Sequence, residues 1–299
     1  MTVKETILSF YGLREARSAD VGSLFSKQPT VVEEVTSTRL IGIEVEVENH
    51  DAKNPVSGSW HMEVDGSLRN TGVEWISSPL EAKWGPYALR ELMGECLGKD
   101  CCFSPRTSIH IHVNVQDLDR EQVIDSVLLY SVFEPLFYRY TGRGRIKNIY
   151  CVPLFDTNLL TSIGSRSLES TRESWSKYSG LNLLPIGDKG TLEFRHMHGT
   201  FDHKKVSIWI RLLTKLVDYV DQQKTKNIRQ MVLSMDRSFD YLELLKEIFG
   251  TDYVYLKYQN YYDIANSINN VKQAFVRPAT TTRLLSSIKK TSLYFQGVK

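Results

Sequence analysis

The strongest constraint on how this chain folds is an alternation of apolar and charged residues with a period of two. Residues 39–48 read Arg-Leu-Ile-Gly-Ile-Glu-Val-Glu-Val-Glu, so Ile43, Val45 and Val47 alternate with Glu44, Glu46 and Glu48. That is the period of a β-strand with one face in a core and the other in polar surroundings. The pattern returns at 108–115, where Ile109, Ile111, Val113 and Val115 alternate with His110, His112 and Asn114. It returns again at 190–197, where Glu193 and Arg195 share a face. Side chains two apart on a strand stand roughly 7 Å apart at the backbone and point the same way. Three strands are therefore expected, each apolar on one side and bearing carboxylate, imidazole or guanidinium on the other.

Around them the spacing predicts one short helix near residues 3–17, a polar connector to residue 38, and a turn at Asp65-Gly66-Ser67. A short strand is expected from Val73 to Ser77, ended by Pro79, with helical spacing over 85–98. Residues 119–140 read as a long helix with Asp119 as N-cap, Glu121 in the first turn and a kink at Pro135. Residues 141–176 read as loop, 181–186 and 190–197 as strands, and 203–224 as an amphipathic helix with Trp209 on its core side. His196 and His198 are expected to point away from Glu193 and Arg195 and to be structural. Strands and helices mix without β-α-β-α alternation, which predicts an α+β fold with a mainly antiparallel sheet. Three segments are expected: 1–38 as helix and connector, 39–224 as the catalytic domain, and 225–299 as a helical extension packed on it or beside it.

Several function classes are disfavoured. A net charge of +2 over 299 residues gives no basis for nucleic-acid or membrane binding. The four cysteines, Cys96, Cys101, Cys102 and Cys151, form no CxxC pair, so neither a zinc site nor a disulfide framework is suggested. They are expected to be buried packing residues of a reducing compartment. With no apolar leader and no run near the ~18 residues of a membrane span, the chain reads as cytoplasmic. Leu293 to Gly297 resembles part of a protease-cleavage tag and is set aside. No Walker or dinucleotide glycine loop is present, so a bound nucleotide would have to be held by metals and basic side chains.

The polar strand faces admit two explanations. A solvated outer sheet face also carries Glu and Arg. Against that, His-x-His is uncommon on such a strand, and neighbouring carboxylates repel unless a cation offsets them. Glutamate oxygens suit Mg²⁺ or Mn²⁺, and two such ions about 4 Å apart would bridge the phosphates of ATP. Glu74, in Gly-Val-Glu-Trp-Ile-Ser-Ser-Pro, is a further ligand candidate or an edge-strand surface residue; Asp65 is a site residue or only a turn residue.

The order of these segments resembles the amidoligase family, a branch of the glutamine synthetase and glutamate–cysteine ligase superfamily. The matching pieces are Gly42 to Glu46, Asp65 to Ser67, Glu74 to Pro79 and Ser108 to Asn114. They continue with Arg145, Asn148 to Pro153, Lys177 to Asn182 and Gly190 to Thr200, within about residues 39–215. His-x-His-x-Asn followed by Thr-x-Glu-Phe-Arg and Gly-Thr is the specific part. The resemblance implies a curved antiparallel sheet of the glutamine synthetase catalytic-domain type, with helices on its convex face and the site on its concave face. It implies ATP-dependent joining of a carboxylate to an amine through an acyl phosphate, the substrates being free or part of a peptide or protein. Glu44, Glu46, Glu74 and Glu193 would be metal ligands, with His110 or His112 on metal or phosphate. Arg195 would stabilise the transferring phosphoryl group or bind the substrate carboxylate, and Asp65 would take the amine proton. Arg145 and Asn148 would close over ATP or substrate, although Arg143, Arg145 and Arg166 equally read as solvated loop charge. Tyr178 and Asn182 would line the substrate pocket, unless Asn182 only bonds backbone. An amino or guanidino kinase on the same fold, and an inactive module that binds ATP or metal, are the competing functions.

Overall fold

The computed structural model describes residues 5–19, 35–50, 59–96, 100–157, 159–165, 167–223, 227–235, 238–256 and 261–274. Arg166, most of the connector expected from the first helix to residue 38, and residues 275–299 of the expected C-terminal extension, including 293–297, lie outside them, as do the side chains of Cys96 and Arg143.

Among the described residues seven strands form one sheet: β1 (Leu40–Val47), β2 (Trp60–Val64), β3 (Val73–Ser77), β4 (Leu80–Glu81), β5 (Ser108–Asn114), β6 (Leu181–Asn182) and β7 (Thr191–His198). Their order is β2-β3-β1-β5-β7-β6, with β4 also on β1, and every pairing is antiparallel. The helices are α1 (Ile7–Phe10), α2 (Gly85–Glu91), α3 (Arg120–Thr141), α4 (Leu159–Ser165), α5 (Leu168–Glu173), α6 (His203–Gln222), α7 (Ile228–Ser234), α8 (Ser238–Phe249) and α9 (Tyr261–Ala274). The protein is thus α+β with a mainly antiparallel sheet.

The apolar members of each alternation do what the pattern predicts. Ile41, Ile43, Val45, Ile109, Ile111, Val113, Leu192 and Phe194 are fully or almost fully buried. They meet Phe133 and Phe137 of α3 and Trp209 and Leu213 of α6 in one core. Each such side chain contributes about 1.5–3 kcal/mol, which offsets the cost of drying the charged groups on the opposite face. Asp119 caps α3 as expected: its Oδ1 accepts from the Gln122 backbone N–H at 2.9 Å, and Gln122 Oε1 accepts from the Asp119 N–H at 2.9 Å. The helix runs unbroken through Pro135. Helices α7 and α9 pack on α3, and α8 packs on α6.

Four local expectations need correction. The helix near 3–17 is a single turn, because the chain beyond it is held extended by tertiary bonds, Ala16 N–H to Gln116 Oε1 (2.9 Å) and Ala19 N–H to the Pro79 carbonyl (2.8 Å). The segment 60–64 is a strand that the sequence reading did not mark. The 141–176 loop contains α4 and α5. The strand expected over 181–186 is β6 followed by a 3₁₀ turn at Leu184–Ile186, where Pro185 cannot donate to a ladder.

Candidate active site

The polar members of the same alternations converge. Register places Glu44 opposite His110 and Glu46 opposite Glu74, while His112 lies opposite Glu193. With Arg195 they line a cleft of about 760 Å³ bordered by Asp65, Lys177, Tyr178 and Lys189. His110, His112, Glu46 and Glu193 are each no more than 6% exposed. A solvated outer face is therefore ruled out for them.

Each carboxylate has a different environment. Glu44 Oε2 lies 3.1 Å from His110 Nδ1, and Glu44 Oε1 lies 3.0 Å from His112 Nε2. Burial alone would raise its pKa, but the two imidazoles overcome that and hold the group well below the usual carboxylate range. Glu46 Oε2 accepts from the Ser108 backbone N–H (2.7 Å) and hydroxyl (2.6 Å). Glu193 accepts from Asn182 Nδ2 at 2.6 Å and from the Arg195 guanidinium. Burial raises its pKa too, yet His110, Arg195 and His112 bring it below the ordinary value. Glu74 goes the other way. Burial, then the charges of Glu44, Glu46 and Asp65, push it up to about 8. The cleft holds more negative charge than its own cations neutralise.

Two sets of donor atoms lie close enough to share a cation: Glu44, His112 and Glu193, and Glu44, Glu74 and His110, each within 4.8 Å of one another. Glu44 belongs to both. His112 supplies an independent test of fit. Its Nδ1 is 2.9 Å from Thr191 Oγ1, while Nε2 is buried and, despite its approach to Glu44, makes no aligned hydrogen bond. With a divalent ion between Nε2 and Glu44, Nδ1 would keep the proton and donate to Thr191, and Nε2 would turn its lone pair to the ion in place of its contact with Glu44. The donors present therefore suit a divalent ion.

Of the other expected site residues, Asp65 lines the cleft and its Oδ1 accepts from the Ser67 N–H (2.8 Å). Tyr178 stands at the rim, 40% exposed and edge-on to Tyr150. Asn182 both lines the cleft and bonds backbone: its Oδ1 accepts from the Leu184 N–H at 3.0 Å while its amide holds Glu193. Arg145 and Asn148 are the exceptions. Arg145 is buried outside the cleft and donates to the carbonyls of Arg195 (2.7 Å) and His196 (3.0 Å). It is neither a solvated loop charge nor a group facing a substrate. The Asn148 amide donates to the Pro105 carbonyl at 3.0 Å, and its Oδ1 accepts from the Tyr150 N–H at 2.8 Å. Neither side chain lines the cleft, and the two carbonyls that Arg145 holds belong to an irregular stretch of β7. Between the pairs Ile111–Phe194 and Ile109–Met197, both Arg195 and His196 stand against His110. This is the count of a β-bulge.

Behind the bulge His196 is fully buried as expected, its Nε2 2.6 Å from the Tyr130 hydroxyl, which donates to Glu134 at 2.6 Å. His198 contacts the Thr141 carbonyl at the end of α3. Cys101 and Cys151 are buried and Cys102 partly so.

Sequence reasoning missed Ser108, Thr191 and Lys189 as site residues. Ser108 and Thr191 occupy even and odd positions that share the polar faces of β5 and β7, so periodicity alone could have found them. Lys189, whose Nζ is 3.6 Å from Glu44 Oε1, enters through a turn that periodicity does not describe. That turn ends at Gly190, whose φ is +67°, with Gln116 packed where a Cβ would be.

An antiparallel sheet with helices on its apolar face and a buried glutamate–histidine–arginine cleft on its polar face defines an α+β protein with a candidate active site on the sheet. The chain belongs to the amidoligase family: the family model described as "Putative amidoligase enzyme" matches residues 25–217, more than half of the chain. Membership places it among ligase-type enzymes, which act on carboxylate and amine substrates. No curated protein matches the chain. Among the described residues, no helix is long and apolar enough to cross a membrane.

Proposed function

We propose that the protein is an ATP- and divalent-metal-dependent ligase that joins a carboxylate to an amine through an acyl phosphate, on a sheet used as in glutamine synthetase. The observation that supports this best is the convergence of Glu44, Glu74, Glu193, His110 and His112 into two donor sets that share Glu44. Mg²⁺ or Mn²⁺ held there would neutralise the terminal phosphates of ATP.

The chain's own residues account for the remaining steps. Arg195, locked against Glu193, presents donors to the γ-phosphoryl group as a substrate carboxylate oxygen attacks it and the bond to ADP breaks. Lys189 adds a second positive charge at the same edge. The amine nitrogen then attacks the acyl carbon. The C–N bond forms as the carbon–oxygen bond to phosphate breaks, and the amine proton passes to a carboxylate at the cleft wall, for which Asp65, which lines that wall, is the candidate. No buried cysteine is needed as a nucleophile.

Phosphorus NMR of a reaction containing ATP, Mg²⁺, and a panel of acids and amines tests this. ADP and phosphate appearing in step with amide is the expected result. AMP and pyrophosphate as stoichiometric products would overturn the acyl-phosphate route. A phosphorylated product with no amide would favour a kinase.

A further inference from the structure

The polar face does not end at His112. Past it lies a second cavity of about 360 Å³ that shares Glu44, His112, Asp188 and Lys189 with the charged cleft. Its chemistry is different. The same-face positions on β1 and β3 that hold Glu44, Glu46 and Glu74 in the first cleft hold Leu40, Gly42 and Ile76 here, with Pro79 and Ala16 beside them. Gly42 keeps the floor low: a Cβ there would meet only the His112 Cβ, at 3.5 Å, so a side chain would rise into the cavity.

One wall carries a polar group with spare capacity. Asn114 lines the cavity, and its Oδ1 is taken by the Gln116 N–H at 2.7 Å. Its amide nitrogen makes no hydrogen bond among the described residues and so offers donors only. A flat apolar floor with a donor at its side suits a planar heteroaromatic ring bearing an acceptor nitrogen. The volume falls in the roughly 300–1,000 Å³ range of small-molecule pockets.

We propose that this cavity is the base subsite of a nucleotide: a purine ring lies over Gly42 between Leu40 and Ile76, with a ring nitrogen accepting from Asn114, and its phosphates reach past His112 into the charged cleft. This rests on the proposed use of that cleft for phosphate binding and assigns the base to residues distinct from it. An apolar portion of the acid or amine substrate is the competing occupant. It has no use for the Asn114 donors and no reason to be continuous with the phosphate side.

Calorimetry with two probes separates the possibilities. Wild-type protein is titrated, in the presence of Mg²⁺, with a non-hydrolysable ATP analogue and with inorganic tripolyphosphate. The analogue should bind at least about tenfold more tightly. Gly42→Leu, which fills the floor, and Ile76→Asp, which charges it, should each bring the analogue down to the tripolyphosphate level and leave tripolyphosphate binding in place. Thermal unfolding checks that each variant folds, and either one suffices if the other does not. Equal wild-type affinity for the two probes, or full preference for the analogue in a folded variant, would overturn the base subsite and leave the phosphate cleft standing. Binding of neither probe to wild type would overturn the cleft's proposed function and the subsite with it.

Discussion

Glu44 and Glu74 stand diagonally across β1 and β3 with carboxylate oxygens within 4.8 Å, and one electrostatic field drives their proton affinities apart. Glu44 has both imidazoles as partners. Glu74 has burial and three neighbouring acids. The pair divides the cleft into a carboxylate that is ionised and one that holds a proton for want of a better cation.

That proton makes stability depend on pH. Glu74 keeps it to about pH 8 in the folded, cation-free protein, whereas a glutamate in the unfolded chain loses it near 4.5. The proton therefore favours folding fully below about 4.5, and this contribution drains away as pH rises through 8. Melting temperature of the cation-free protein should decline across that window. Mn²⁺ should recover it increasingly as pH rises, with proton release on binding below pH 8. Glu74→Gln should make the cation-free decline shallower and leave the part due to Glu134, which burial pushes up to about 7. A pH profile indifferent to Glu74→Gln would mean that the carboxyl is not held protonated.

Arg195→Lys keeps the charge and loses the fork that Glu193 and a phosphoryl group share. The variant should retain its melting temperature within about 2 °C and lose on the order of 10²–10³ in turnover. Steady-state kinetics with ATP decide the matter. Near-normal kcat would leave Arg195 as no more than the ion-pair partner of Glu193.

Thr191 touches no substrate in this scheme, but it fixes His112. Thr191→Val removes the hydroxyl that holds Nδ1 and keeps the side-chain shape, leaving the imidazole free to turn. Divalent-ion affinity should fall about 10–100-fold with little change in fold stability. Mn²⁺ titration followed by electron paramagnetic resonance reads this directly, and unchanged affinity would remove His112 from the ligand set.

The central strands were legible because they are two-sided. β1, β5 and β7 each bury one face in an apolar core and dry the other in the cleft, so the alternation is regular where the site lies, over 43–48, 108–115 and 191–195. β2 was not, because it is an edge strand. Trp60 is buried, whereas His61, Glu63 and Val64 are exposed, and no period-two contrast remains to read. α4 and α5 were hidden for a similar reason, being too short to display a helical face. Asp119 was recognised as a cap because its bonds are local. The rear position of Arg145 was not, since it depends on carbonyls fifty residues away on an irregular strand. Lys189 was missed because a turn, not a strand, delivers it.

The bulge at Arg195 and His196 has a further consequence, for how this chain tolerates change. By spending one unpaired residue, β7 is divided into two reading frames: Glu193 and Arg195 count forward into the cleft, and Met197 counts from the helical core. Substitutions in either half leave the other in phase. Deleting His196 would remove the bulge and leave Arg195 on the cleft side and Met197 on the core side, but would take away the buried His196–Tyr130 contact and a carbonyl that Arg145 holds. A residue inserted or deleted elsewhere in β7 would instead shift one half by a single position and exchange its cleft and core sides.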